Sequence, residues 1–168
     1  MKSALLLILF ALILTGCSKK TGKEYMDAAE KSTQNKNYSE AVKSYREFLK
    51  EYPESKDAPE AMVKMASLYM NHSDSALSRE QSFAKAAELF KEVYDKYPNS
   101  EQAPQALFMS AFVLSNDLYK YDEATKIYQL FLEKFPNHQL AKSAKEELNT
   151  MGMSPDDILK KNRNAKSI

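Results

Sequence analysis

Three segments of this chain align on one another without gaps, and that limits the fold to a stack of like units. They run from Ala41 to Pro53, from Ala86 to Pro98 and from Ala124 to Pro136. The alignment matches Ala41 with Ala86 and Ala124, Tyr45 with Phe90 and Tyr128, and Phe48 with Val93 and Phe131. It also matches Leu49 with Tyr94 and Leu132, and Tyr52 with Tyr97 and Phe135. Counted from the alanine, these positions fall on one face of an α-helix. The closing proline pushes the residue before it out of the α region and ends the helix. A second helix precedes each segment. Its matched positions are Tyr25/Met62/Leu107, Ala28/Met65/Ser110, Ala29/Ala66/Ala111 and Ser32/Tyr69/Leu114. Pro59 and Pro104 fall in first turns, where a missing N–H costs little.

The small residue on each helix lets two helices approach closely, and the aromatic four positions later fills the space between pairs. This small–small–aromatic–proline pattern resembles the tetratricopeptide repeat, from Lys23 to Leu148. The resemblance implies an all-α fold: a right-handed superhelical solenoid of about three helix pairs with a C-terminal capping helix. Pro53 and Pro98 are 45 residues apart, and Pro98 and Pro136 are 38. Both exceed the usual period of about 34. The extra residues of the longer repeat fall in the polar stretch Asn71–Ser82, which reads as a long inter-helix loop. After Pro136 a helix carrying Ala141 and Ala144 is expected to cap the array and to end near Gly152 in a left-handed turn. Ser154-Pro155-Asp156-Asp157 then reads as the start of a short helix to about Lys161, with a frayed tail from Arg163.

The N-terminus carries different information. Lys2 is followed by eleven apolar residues, Ala4–Leu14, and then by Thr15-Gly16-Cys17. Eleven residues of helix reach roughly 17 Å, too short for a hydrocarbon core of about 30 Å. The layout is that of a secretory signal. Leu14-Thr15-Gly16-Cys17 resembles a bacterial lipobox, and Cys17 is the only cysteine of the chain. The resemblance implies removal of residues 1–16 and lipidation of Cys17, palmitate included. Ser18 in the next position implies sorting to the outer membrane, on its periplasmic face; a Gram-positive source would mean the outer face of the cytoplasmic membrane. Residues 17–22 read as the lipidated cysteine and a short basic linker, 23–150 as the repeat domain with its cap, and 151–168 as the terminal helix and tail. Lys19, Lys20 and Lys23 add either weak attraction to anionic headgroups or only solvation.

Composition bounds the function. Removing residues 1–16 takes Lys2 and no acid, which leaves 23 basic and 23 acidic residues. A nucleic-acid-binding domain normally shows a basic excess. His72 and His138 are the only histidines, and no His/Cys/Asp spacing supports a metal or a general base. No phosphate loop or nucleophile elbow is present. The expectation is a non-enzymatic protein with no cofactor, no metal and no small-molecule substrate.

A repeat solenoid binds along the concave face formed by the first helix of each pair. Extending the register places Met26, Val63, Met70, Asn71, Phe108, Phe112 and Asn116 on that face as a protein-binding groove. Phe108 and Phe112, four apart, form one aromatic patch. They either line the groove or pack against the next helices. The expected partners are envelope proteins. Two relatives come to the chain by resemblance. The β-barrel assembly lipoprotein, the BamD type, shares the lipobox, the short linker and the long-spaced repeats seen in Tyr52-Pro53-Glu54-Ser55 and Tyr97-Pro98-Asn99-Ser100. The repeat domain of the Tol–Pal accessory protein, the CpoB type, shares the run from Tyr97 to Ala106. The first implies outer-membrane protein assembly, the second coordination with the cell wall. A pilotin and a structural spacer with a self-filled groove are the other roles considered.

Overall fold

The computed structural model describes residues 19–71 and 77–165. The apolar N-terminal run, the lipobox with Cys17, His72 and the last three residues lie outside the described residues. Eight helices and no strand occur among the described residues. They are α1 (Gly22–Gln34), α2 (Tyr38–Glu51), α3 (Ala58–Met70), α4 (Arg79–Lys96), α5 (Ala103–Asn116), α6 (Tyr121–Lys134), α7 (Ala141–Thr150) and α8 (Pro155–Ala165). Helices α1–α2, α3–α4 and α5–α6 form three antiparallel pairs, and α7 packs on α6 as the cap.

The alanines set the spacing within each pair. Ala29 and Ala41 in the first pair, Ala66 and Ala86 in the second, and Ala111 and Ala124 in the third are all fully buried. No side chain beyond Cβ separates the backbones there. The aromatics fill the space between pairs: Tyr45, Phe90 and Tyr128 are each at most 2% exposed. Ala58, Ala61, Ala106 and Ala144 make the contact from one pair to the next. Polar groups cross the same seams. Arg46 Nη2 donates to Tyr69 Oη at 3.3 Å, and Ser110 Oγ donates to the Ala87 carbonyl at 2.9 Å.

Each proline acts as the sequence predicts. Tyr52, Tyr97 and Phe135, the residues before Pro53, Pro98 and Pro136, have φ near −130° and ψ between 52° and 56°. Those angles lie outside the α region and turn the chain into the next pair. Gly152, at φ +76°, follows α7 as expected and brings its backbone against the Tyr121 ring.

Two local expectations change, and one side chain with no role assigned from the sequence finds partners. The stretch Asn71–Ser82 is not all loop. Ser78 caps α4 through a reciprocal pair of bonds with Gln81, so α4 has 18 residues where α2 and α6 have 14. Helix α8 extends to Ala165, past Lys161. His138 is not a free surface side chain. Its Nδ1 accepts from the Leu140 N–H at 3.2 Å, and its ring meets Phe131 edge-on at 5.8 Å. Ser55 does the same in the first turn between pairs, where its Oγ accepts from the Asp57 N–H at 3.2 Å. The imidazole replaces a serine hydroxyl as a turn cap.

Helix α8 follows α7 where a fourth partner helix would stand, yet none of its residues with a described side chain is fully buried, and Leu159 is 60% exposed. The reason is in its sequence. Counted from the helix start, Ile158 stands where α2 carries Ala41, and a β-branched side chain does not allow the close approach that alanine does.

Two substitutions test this packing. Ala66→Leu is expected to destabilise by about 1–3 kcal/mol through overpacking. Tyr128→Phe is expected to change stability by no more than about 1 kcal/mol, because the buried Tyr128 hydroxyl makes no hydrogen bond of good geometry among the described residues and has only the Ser115 hydroxyl near it. Urea-denaturation midpoints measure both.

Candidate functional site

Helices α1, α3 and α5 line a trough made of two adjoining concavities. The first, about 410 Å³, is bounded by Thr33 and Gln34 of α1, Tyr45 of α2, and Val63, Ser67 and Asn71 of α3, among others. The second, about 150 Å³, lies between α3 and α5 and is bounded by Val63, Ser67 and Met70 on one side and Gln105 and Met109 on the other. Val63 and Ser67 belong to both, so the trough is continuous across α3.

The chemistry of the trough is apolar with amides. Val63, Leu68, Met70 and Met109 supply the apolar surface, and Gln34, Asn71, Gln102 and Gln105 the amide groups. The Thr33 and Ser67 hydroxyls donate back to the carbonyls of Ala29 and Val63, both at 2.9 Å, so neither hydroxyl proton is free for a ligand. The one cation, Lys64, is neutralised. Its ammonium lies 2.5 Å from Glu30 and 3.1 Å from Glu60. The hydrogen bond to Glu30 holds Lys64 well above the ordinary lysine value, against the opposing effect of burial, and the bridge ties α1 to α3. Burial also raises the Tyr45 phenol on the floor. Such a surface suits a neutral, amphipathic peptide segment, with methionines that adapt to shape and amides that pair with its backbone.

The seven groove positions read from the sequence separate here. Val63, Met70 and Asn71 line the trough. Met26 is half-buried against the core and bounds neither concavity. Phe108 is a correction: it is 8% exposed and packs edge-on against Tyr128 at 5.4 Å and Phe131 at 5.8 Å, so it belongs to the α5–α6 core. Phe112 stacks on Phe108 at 6.4 Å and is half-buried. Asn116 lies elsewhere. Its amide donates to Phe112 O and Ser115 Oγ, and it borders a third concavity of about 490 Å³ with Tyr119, Tyr121, Met151 and Ile158. The register missed Gln105 and Met109, which stand on the α5 face turned toward α3. It also missed the exposed Tyr119, held at φ 56° in the α5–α6 turn, for which the unusual Tyr119-Lys120-Tyr121 turn sequence was the available signal.

Among the described residues no group of acidic, histidine or cysteine side chains is arranged to hold a metal ion. No helix among them is long and apolar enough to cross a membrane.

The helix pairs and their trough agree with a family comparison. Residues 11–55, 60–100 and 105–138 each match the tetratricopeptide repeat. The chain belongs to the tetratricopeptide repeat family. No curated protein matches it. Tetratricopeptide repeats are protein-interaction scaffolds, and the trough lies on the face that the first helix of each repeat presents.

The Lys64 bridge gives a pH-dependent prediction. Its folded-state value is raised, so its contribution is complete below the ordinary lysine value of 10.5 and is lost only as pH rises through the folded value. The side chain is 36% exposed, which limits the contribution to about 1 kcal/mol or less. Lys64→Met is expected to lower stability by that amount at pH 7, with the same difference at pH 9. Urea denaturation at the two pH values measures it.

Proposed function

We propose that this tetratricopeptide repeat protein is a lipid-anchored scaffold of the bacterial envelope that holds a neutral, amphipathic segment of a partner protein in the α1–α3–α5 trough. The continuous apolar and amide surface across Val63 and Ser67 carries the binding part of this reading. Its one lysine is already paired with two carboxylates, which speaks against a clamp for a peptide carboxylate. The anchor rests on the sequence Leu14-Thr15-Gly16-Cys17 behind an apolar run. With Ser18 after Cys17, the anchor sequence supports a position at the periplasmic face of the outer membrane. The favoured role is outer-membrane protein assembly, as in the BamD type.

One observation favours the second reading, a Tol–Pal and cell-wall coordinator of the CpoB type. Among the described residues there are three complete helix pairs before the cap, and repeat domains of that type have about three. Neither reading involves catalysis.

A photo-crosslinking residue at Ser67, in intact cells, separates them. Capture of the barrel-insertion subunit or of nascent outer-membrane proteins is the expected result. Capture of Tol–Pal components or peptidoglycan enzymes would replace it with the second reading. Capture of only the chain's own C-terminal segment would overturn the open trough. Ser67→Trp, which fills the concavity, is expected to reduce partner recovery at least tenfold while the circular dichroism spectrum stays helical.

A further inference from the structure

Lys19–Thr21, expected to be part of a solvated linker, are bound to the first helix pair. The Lys19 ammonium pairs with Glu51 at the end of α2 and lies 6.0 Å from the centre of the Tyr52 ring. The Lys20 ammonium lies 5.5 Å from the centre of the Tyr25 ring, and the Lys20 carbonyl accepts from Tyr52 Oη at 2.8 Å. Thr21 caps α1: its Oγ1 accepts from the Glu24 N–H at 3.2 Å, and its own N–H donates to the Glu24 carboxylate at 2.7 Å. Gly22 follows so closely on Phe48 that a Cβ there would stand 3.1 Å from the ring. Backbone, charge, ring and cap therefore fix three consecutive residues before α1. The two lysines, though exposed, contact their own domain through Glu51 and the Tyr52 and Tyr25 rings.

We propose that residues 19–21 form a rigid mount that seats the α1–α2 end of the solenoid on the lipid surface into which Cys17 is anchored. The inference rests on the anchor reading given above. The argument is one of reach. Cys17 is two residues from Lys19, and two residues span at most about 7 Å. A flexible linker would let the domain drift and tumble; a clamp that begins this close to the acylated residue does not. The surface brought to the bilayer is the edge where α1 begins and α2 ends. It carries the exposed Lys23 and the half-buried Tyr25 and Tyr52, and lysine and tyrosine both suit a headgroup region. The α7–α8 end is held away from the lipid. The clamp has a pH limit of its own. The hydrogen bond from Lys19 holds the Glu51 carboxyl below the ordinary carboxylate range, so the pair persists above that range and is lost as pH falls through the lowered value.

The test uses full-length protein made in cells and reconstituted into nanodiscs containing a headgroup spin-labelled lipid. Intact mass reports acylation. A fluorophore is placed on Glu54→Cys, beside the clamp, or on Met153→Cys, after α7. The expected result is an acylated protein whose Glu54→Cys label is quenched at least threefold more than its Met153→Cys label. Inserting about twelve Gly/Ser residues after Ser18 adds roughly 20 Å of reach and leaves the folded part untouched, so it should bring the ratio toward one. Acylated protein with equal quenching at both sites, or a ratio unmoved by the insertion, would overturn the mount while leaving the anchor standing. Protein without acyl mass would overturn the anchor, and the mount with it.

Discussion

The contact between paired alanines is the constraint on which this structure depends. Ala29 against α2, Ala66 against α4 and Ala111 against α6 bring the backbones of each pair to close approach. Only then do Tyr45, Phe90 and Tyr128 reach the seam with the next pair and become buried there. The prolines after α2, α4 and α6 stop each helix at the same point relative to that contact, so the chain turns back in the same place each time. A solenoid results because every repeat makes the same two decisions. It ends where a sequence stops making them. Helix α8 carries Ile158 at the small position, and Ile158 is only half-buried while Leu159 is exposed.

The same geometry builds the trough. When the second helices of the pairs fill the seams, the first helices stand beside one another with a row of side chains left uncovered. Val63 and Ser67 sit at the centre of that row, and Lys64 bridges Glu30 and Glu60 along its rim. The bridge neutralises the charge that a clamp for an anionic peptide end would need. What remains is a surface of methionine, valine and amides. A surface of this kind accepts sequence variation in its ligand more readily than one built on a single charged pocket.

The first and last ends of the array are treated differently. At the first, residues 19–21 are tied to Glu51, Tyr25 and Tyr52, so the domain starts without slack. At the last, Tyr119, Tyr121, Met153 and Leu159 remain exposed around α7 and α8. The two ends of the array therefore differ, and the trough runs between them.

The sequence by itself determined the paired helices, their pairing and the ends that the prolines set, though not the start of α4 or the end of α8. Alanine, aromatic and proline positions are local and periodic, and each acts through a rule that needs no knowledge of distant contacts. The family match and the observed pairs agree with that reading. The groove was only half legible. Val63, Met70 and Asn71 line the trough, whereas Phe108 turned into the core and Met109, one residue on, borders the trough. Neighbouring residues on a helix point about 100° apart, and periodicity cannot say which of two adjacent apolar side chains meets the next helix. The crossing of α5 with α6 decided it, by offering Phe108 the edges of Tyr128 and Phe131. The same holds for Lys19, Lys20 and His138. Each reads as polar and solvated in one dimension, and each is held by partners that only folding brings within reach: Glu51 and Tyr52, Tyr25, and the ring of Phe131.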